Sequence, residues 1–389
     1  MIRHSIAERE NLPQIAKDFG FNFHTIDGDR YWDERYYYEF TLKQVENDLE
    51  DPTKSIHDIC MELVDEVTKS EELLEKLCIP KFYWDQVKHS WDNGQPHLYG
   101  RMDFSYDGKS PAKLLELNYD TPTSLYEAGF FQWQWLESMI RDGKLPEHYS
   151  QFNSIQDKLL EAFVHLKNIK ALPEPLYLSA TNESTEDLGT VQYLRDIAMY
   201  AGLKTELIGL EDIGWNHDNQ QFVDLQDRQI PSLFKLHAWE HMFREEFGRF
   251  VPYSDTLFIE PTWKAILSNK GILPLLWDRH SKHPNLLETH FDPDPTKSLR
   301  KGCVRKPFFS REGANVEINT DKGETVKVDG PYTDAPYILQ EFSPLPKFGD
   351  NFTLIGSWVV GNQPAGIGIR EDNSLITKDS SLFIPHVFS

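Results

Sequence analysis

The sequence is poor in cysteine: Cys60, Cys78 and Cys303 are the only three among 389 residues. They form no C-x-x-C pair and no zinc pattern, which excludes a disulfide framework and a cysteine-rich metal site. Free thiols fit a reducing compartment. No stretch approaches about 18 consecutive apolar residues, so no membrane-spanning helix is expected. The first ten residues, Met1 to Glu10, have no apolar core and do not read as a signal peptide. A soluble, cytoplasmic protein is expected. Positive charge is also scarce: 40 Lys and Arg stand against 62 Asp and Glu, a formal net charge of −22. Such a chain repels phosphate backbones and anionic bilayers, so neither nucleic acid nor membrane is an expected partner. Its field instead favours cationic small molecules, polyamines among them. There is no G-x-G-x-x-G and no G-x-x-x-x-G-K-[ST], so neither a dinucleotide-binding Rossmann fold nor a P-loop NTPase is supported. The H-x-x-x-H pair His237 and His241 has Ala238 where a zincin needs Glu. What the chain does have is aromatic content, 13% with ten Trp, enough for a large core and two or three domains.

Periodicity gives the organisation. Residues 1 to about 95 read as mainly helical, with Ile56, Ile59, Cys60, Leu63, Val64 and Val67 at helical spacing. Residues 97–104 and 112–118 read as the strands of a hairpin around a 106–109 turn. Helices are expected at 125–140 and 155–166. Residues 172–265 read as α/β, with a strand at 176–180, a helix ended by Gly202, and a strand at 203–208. Beyond 270 the chain is strand-rich, with strands at 304–309, 316–318, 325–328, 337–342 and 353–360.

Four groups of residues carry chemistry. On the hairpin, residues two apart share a face, so Arg101 lies with Asp103 and Glu116 with Asn118. Two carboxylates and an amide oxygen are hard ligands suited to Mg²⁺, with water and nucleotide phosphates completing its octahedron, and an arginine beside them suits a transferring phosphoryl group. The same spacing also describes an exposed hairpin face with surface ion pairs. Asp120, Thr121, Thr123 and Ser124 follow directly, with hydroxyls that serve equally as substrate contacts or helix caps. Lys270 and Lys306 sit in apolar runs, where a lysine either reaches solvent or meets a fixed anion, and the loop around Gly313 offers backbone N–H groups to phosphates. Gln340, Glu341 and Ser343 close a strand ended by Pro344, whose edge could take an adenine ring with Glu341 on the ribose; Arg370 is a further phosphate contact.

Read together, Arg101–Met102–Asp103 with Glu116–Leu117–Asn118, the 258–264 and 269–274 stretches, Lys306–Pro307 and its loop, Trp239–Glu240 and Gly368–Ile369–Arg370 resemble the synthetase domain of the glutathionylspermidine synthase family. The resemblance runs from about residue 80 to 389 and is greatest to the family's stand-alone acid–amine ligase members. It implies an ATP-grasp-like fold in permuted order, α+β or α/β, with a helical N-terminal region and a small α/β pre-ATP-grasp-like domain. It divides the chain into residues 1–170 (the helical region and the metal-binding hairpin), 171–267 (the substrate domain) and 268–389 (the lid and nucleotide region), with 307–335 as the lid. ATP and magnesium, two ions, would activate a small or peptide carboxylate as an acyl phosphate, and an amine such as a polyamine would attack it.

Carried over by position, Arg101 and Arg370 serve the phosphoryl group. Asp103, Glu116 and Asn118 hold the metal. Lys270, Lys306 and the Glu312–Gly313 loop bind phosphates. Gln340, Glu341, Ser343 and a Leu375–Ile376–Thr377 strand line the nucleotide pocket, and Thr121, Thr123, Glu186, Asp187 and His241 bind the substrates. The family has serines at Thr121 and Thr123, Glu-Glu at Glu186–Asp187 and Thr at His241, so the pocket differs in size while keeping polar or acidic character. Bifunctional members add an amidase domain, which the resemblance does not include. A peptide- or peptidoglycan-extending ligase and a nucleotide-binding protein without turnover remain the alternatives at this level. The sequence does not specify the oligomeric state.

Overall fold

The alternating polar face of the 97–118 segment becomes the edge of the largest sheet. In a computed structural model, which describes every residue except Asp27, Asp334 and Asp379, the chain forms a mixed α/β fold. The strands Tyr99–Ser105 and Lys113–Asn118 pair antiparallel. The first of them continues into Asn351–Val360, Gln363–Asp372 and Leu382–Ile384 to build a six-stranded sheet, with Lys347–Phe348 alongside. Ile355, Trp358, Ile367 and Ile369 are fully buried, so both faces of its centre are packed. A second, five-stranded antiparallel sheet has the order Thr289–Asp292, Tyr337–Glu341, Cys303–Pro307, Glu317–Asn319, Thr325–Lys327.

The third sheet is parallel, ordered Leu257–Ile259, Ser232–Lys235, Leu176–Ala180, Thr205–Gly209. The chain runs outward from Leu176–Ala180 through the helix Thr185–Tyr200 to Thr205–Gly209, then returns to Ser232–Lys235 on the other side. The strand order therefore reverses between Leu176–Ala180 and Ser232–Lys235. Open parallel sheets bind ligands at the carboxyl ends of strands beside such a reversal.

Helices are found where the apolar spacing indicates them at Asp51–Thr68, Ile155–Asn168 and Thr185–Tyr200. In the first, Ile56, Cys60, Leu63, Val64 and Val67 form the buried stripe. The expectation of a mainly helical start fails over the first forty residues. Ile2–Ser5 and Tyr36–Phe40 are strands, and Tyr36–Phe40 pairs in parallel with His386–Phe388. That pairing joins distant segments, and nothing in the local apolar spacing reports it. The expected Leu375–Thr377 strand is a bend: Asp372 accepts the Ser374 N–H and Ser374 Oγ accepts the Ile376 N–H, which turns the chain as the strand ends. Among the described residues, no helix is long and apolar enough to cross a membrane.

Candidate functional site

The hairpin register puts Arg101 opposite Asn118 and Asp103 opposite Glu116, so the four polar side chains converge. This is no exposed hairpin face, because Asp103 is only 3% exposed. Between these pairs and the turn the register slips: Phe104 pairs with Leu114, leaving Leu115 as a bulge. The Arg101 guanidinium grips Asp103 through two bonds, Nε to Oδ1 at 2.7 Å and Nη2 to Oδ2 at 3.0 Å, and donates from Nη1 to the Thr123 carbonyl at 2.7 Å. It lies flat across Gly356 on the next strand, where an added Cβ would stand 2.8 Å from Arg101 Cδ; only glycine leaves that path open.

Asn118 Nδ2 donates to Asp103 Oδ2 at 3.1 Å and to Glu116 Oε1 at 3.3 Å. Lys270 Nζ stands 3.2 Å from Glu116 Oε2 and donates to the Ser310 carbonyl at 2.5 Å. Burial opposes ionisation of Glu116, but Lys270 and Lys306 outweigh it and hold its carboxyl down at about 2. Asp103 moves the other way: burial raises its carboxyl against the pull of Arg101, and Glu116 adds to the rise. Two adjoining carboxylates, one of them strained in its charged form, with an amide between them, suit a hard divalent cation better than they suit each other. Among the described residues no trio of His, Cys, Asp or Glu gathers as a metal site.

Beyond Glu116 a cleft opens between the six-stranded and five-stranded sheets. Lys306, Gly313, Gln340, Glu341, Ser343, Leu375, Ile376 and Thr377 all line it, together with Glu116. Val304, Val316, Ile318 and Ile376 form a small apolar cluster there, a slot suited to a planar ring. Lys306 Nζ donates to the bulged Leu115 carbonyl and to Gln340 Oε1, both at 2.9 Å, so one lysine spans the two sheets. Burial, reinforced by Lys270, pulls the Lys306 ammonium down to about 8 although Glu116 and Asp103 resist. Gly313 takes φ +71°, and the loop packs against the Leu375–Thr377 bend so closely that a Cβ would meet Ile376 at 2.2 Å.

The other side of the hairpin faces the carboxyl ends of the parallel strands. Ser184 caps the helix Thr185–Tyr200 by accepting the Asp187 N–H at 3.1 Å, which places Glu186 and Asp187 in its first turn. His241 follows Ser232–Lys235 on the short helix Trp239–Met242 and stacks on His237 with ring centroids 5.8 Å apart. Thr121 is tied to this region by Arg311, which donates to Thr121 Oγ1 at 2.8 Å and to Glu240 Oε1 at 2.7 Å. Arg370 donates to Ser124 Oγ and to the Ser381 carbonyl, both at 3.1 Å. The hairpin and cleft residues thus form one continuous surface. Glu186, Asp187 and His241 lie on the parallel-sheet side.

Two buried ion pairs fasten that side to the hairpin. Lys235 Nζ meets Asp120 Oδ1 at 2.6 Å with both side chains fully buried, and Asp120 Oδ2 accepts the Trp239 N–H at 2.7 Å. Lys264 pairs with Glu260, whose carboxylate also accepts the N–H groups of Leu98 and Tyr99 at 3.1 and 3.0 Å. Sequence reasoning passed over Lys235, Arg311, Tyr31 and Glu127. The test that singled out Lys306, a lysine inside an apolar run, applies equally to Lys235 in Ser232–Leu233–Phe234–Lys235–Leu236. Arg311 adjoins the Glu312–Gly313 pair, yet only the folded loop shows that it reaches Thr121 and Glu240.

The chain is similar to several known proteins. The chain is 39% identical over 391 residues to a Haemophilus influenzae protein named "Putative acid–amine ligase", covering 98% of this chain and 97% of that one. It is 29% identical over 355 residues to trypanothione synthetase of Crithidia fasciculata, covering 84% of this chain and 53% of that enzyme. With the bifunctional glutathionylspermidine synthetase/amidase of Escherichia coli the identity is 27% over 373 residues, covering 89% of this chain and 58% of that enzyme. The chain thus spans little more than half the length of the last two. Among solved structures, a glutathione synthetase-like effector from Globodera pallida shares the fold, with a TM-score of 0.60 at 12% identity over 99% of this chain and 100% of that one. Residues 3–389 match the sequence model of one family throughout, and the chain belongs to it: the glutathionylspermidine synthase preATP-grasp family.

Proposed function

We propose that this protein is an ATP-dependent ligase that joins a carboxylate to an amine, built as a permuted ATP-grasp whose two antiparallel sheets close on the nucleotide. The observation that carries the reading is the continuity of the Arg101–Asp103–Glu116–Asn118–Lys270 cluster with the cleft lined by Lys306, Gln340 and Ile376. The apolar slot takes the adenine, Glu341 and Ser343 the ribose, and Lys270, Lys306 and the Glu312–Gly313 loop the phosphates. Magnesium, as two ions held by Asp103, Glu116 and Asn118, would neutralise phosphate oxygens when bound. Arg101 and Arg370 bear on the transferring phosphoryl group, which passes to the substrate carboxylate as an acyl phosphate. Thr121, Thr123, Glu186, Asp187 and His241 contact the acid and the amine. We take residues 1–170, 171–267 and 268–389 as the functional divisions, with 307–335 as the lid; within it Asp334 lies outside the described residues. The amine is assigned as a cation, since Glu186 and Asp187 adjoin the strand reversal on a chain with net charge −22.

The test is ADP release from Mg-ATP across a matrix of acids and amines that begins with glutathione and spermidine. Release that requires one acid and one amine, and that Asp103→Asn abolishes, is the expected result. Release independent of any acid, or unaffected by Asp103→Asn, defeats the proposal.

A second expectation comes from Lys306. It carries its charge below pH 8 and loses it in the free protein as pH rises through about 8. The kcat/KM for ATP, which reports free-enzyme ionisations, should therefore fall above pH 8. In Lys306→Arg the charge persists at every accessible pH and the fall should vanish. A wild-type profile flat from pH 7 to 9.5 would remove Lys306 from the phosphate site.

A further inference from the structure

Ser124 stands in the left-handed region, at φ 69°, directly after Thr123. That conformation aims its hydroxyl at two partners. Arg370 Nη1 lies 3.1 Å away and Tyr31 Oη 3.1 Å away. Tyr31 in turn donates to Glu127 Oε1 through a short hydrogen bond. Glu127 is fully buried, and its Oε2 has no hydrogen-bond partner among the described residues. Tyr31 is 1% exposed and Ser124 4%, so the whole row is buried, with Ser124 the member that meets Arg370 and follows the Thr123 carbonyl held by Arg101.

The direction of the protons follows from what each group can do. Arginine only donates, so Ser124 Oγ accepts from Arg370. The Tyr31 proton is committed to the Glu127 carboxylate. The single proton of Ser124 is then left to point at Tyr31 Oη. The row is ordered Ser124 to Tyr31 to Glu127, and it ends in a carboxylate with an unused oxygen.

We propose that Ser124, Tyr31 and Glu127 form a relay that takes the proton from the incoming alkylammonium. The inference rests on the amide-forming reading above. An ammonium has no lone pair, so one proton must leave before attack. As the nitrogen gives it to Ser124 Oγ, the Ser124 proton passes to Tyr31 Oη and the Tyr31 proton to Glu127 Oε1. The freed pair forms the C–N bond, and the C–O bond to phosphate breaks with its electrons on the departing oxygen. The second nitrogen proton leaves with that phosphate as hydrogen phosphate, so charge and atoms balance.

Burial raises the Glu127 carboxyl and makes it a competent acceptor, although the Tyr31 bond, Arg370 and Arg101 oppose the rise. Charged groups reach this row from each side: Arg370 from Gln363–Asp372, Arg101 from the hairpin and Glu186 from the capped helix. Tyr31 and Glu127 do not touch substrate; they act through Ser124.

The experiment compares two nucleophiles, with glutathione as the acid. Spermidine arrives protonated at pH 7, whereas hydroxylamine arrives mostly neutral and needs no acceptor. Tyr31→Phe and Glu127→Gln should each lower spermidine-dependent ADP release by about 10²-fold, the low end of general-base contributions. With hydroxylamine most of the rate should return. The residual spermidine rate should climb about tenfold per pH unit as free amine accumulates, while the wild type stays nearly flat. Equal losses with both nucleophiles would mean that these residues only brace Arg370, and the relay falls. A wild type that releases ADP with neither nucleophile, nor with any other acid–amine pair of the matrix above, overturns the ligase reading and the relay with it.

Discussion

Arg101→Ala should lower kcat for acid-dependent ADP release by about 10³-fold, at the lower end of what arginines on transferring phosphoryl groups contribute. The KM for ATP should change little, because Lys270, Lys306 and the apolar slot remain. The guanidinium makes three bonds, two of them to Asp103 and one to the Thr123 carbonyl. One side chain therefore sets both a carboxylate of the proposed metal site and the turn proposed to bind substrate. Arg101→Lys should fall nearly as far, since an ammonium cannot grip Asp103 with two parallel bonds and still reach Thr123. A kcat within tenfold of wild type for the alanine variant would place the phosphoryl group elsewhere.

The second large effect is on stability. Lys264→Met should destabilise the protein by about 3–5 kcal/mol, the range for stripping one partner from a buried pair. Both side chains are fully buried, and Lys264 Nζ also donates to the Tyr99 carbonyl at 2.5 Å. Burial raises the Glu260 carboxyl and lowers the Lys264 ammonium, so each charge depends on the other. The methionine variant leaves Glu260 with its two backbone donors and, as positive charge, only Lys235, which is already paired with Asp120. Glu260→Gln combined with Lys264→Met should therefore be more stable than Lys264→Met alone. Denaturant midpoints of the wild type, Lys264→Met, Glu260→Gln and the double variant close that cycle. A loss below about 1 kcal/mol in the single variant would show that the pair is dispensable. Because Glu260 holds the N–H groups of Leu98 and Tyr99, the damage should fall on the strand that carries Arg101 and Asp103.

The hairpin cluster was legible in the sequence because period-two alternation and a short turn are local signals. Lys306 and Gln340 were legible for a similar reason, as polar residues interrupting apolar strands. The strand at Leu375–Thr377 was implied only by the family resemblance, and Asp372 and Ser374 turn that segment through side-chain bonds. Tyr31 and Glu127 left no sequence signal at all. They are 96 positions apart, and their role exists only once the N-terminal segment packs beneath Ser124. Arg311 is similar, being 190 positions from Thr121.

The bulge at Leu115 fixes a phase. Leu114 and Leu117 both enter the core, although three positions separate them, while Glu116 and Asn118 both face the cleft. A strand without the bulge would alternate strictly, and Leu114 would share a face with Glu116 and Asn118. The paired leucines at 114 and 115 are the visible mark of this shift. Exchanging Leu115 for another apolar residue keeps the count, and its carbonyl still meets Lys306. Losing that one residue would leave Asp103–Glu116 and Phe104–Leu114 as consecutive pairs of a regular ladder, and what would go is the bulged carbonyl that meets Lys306.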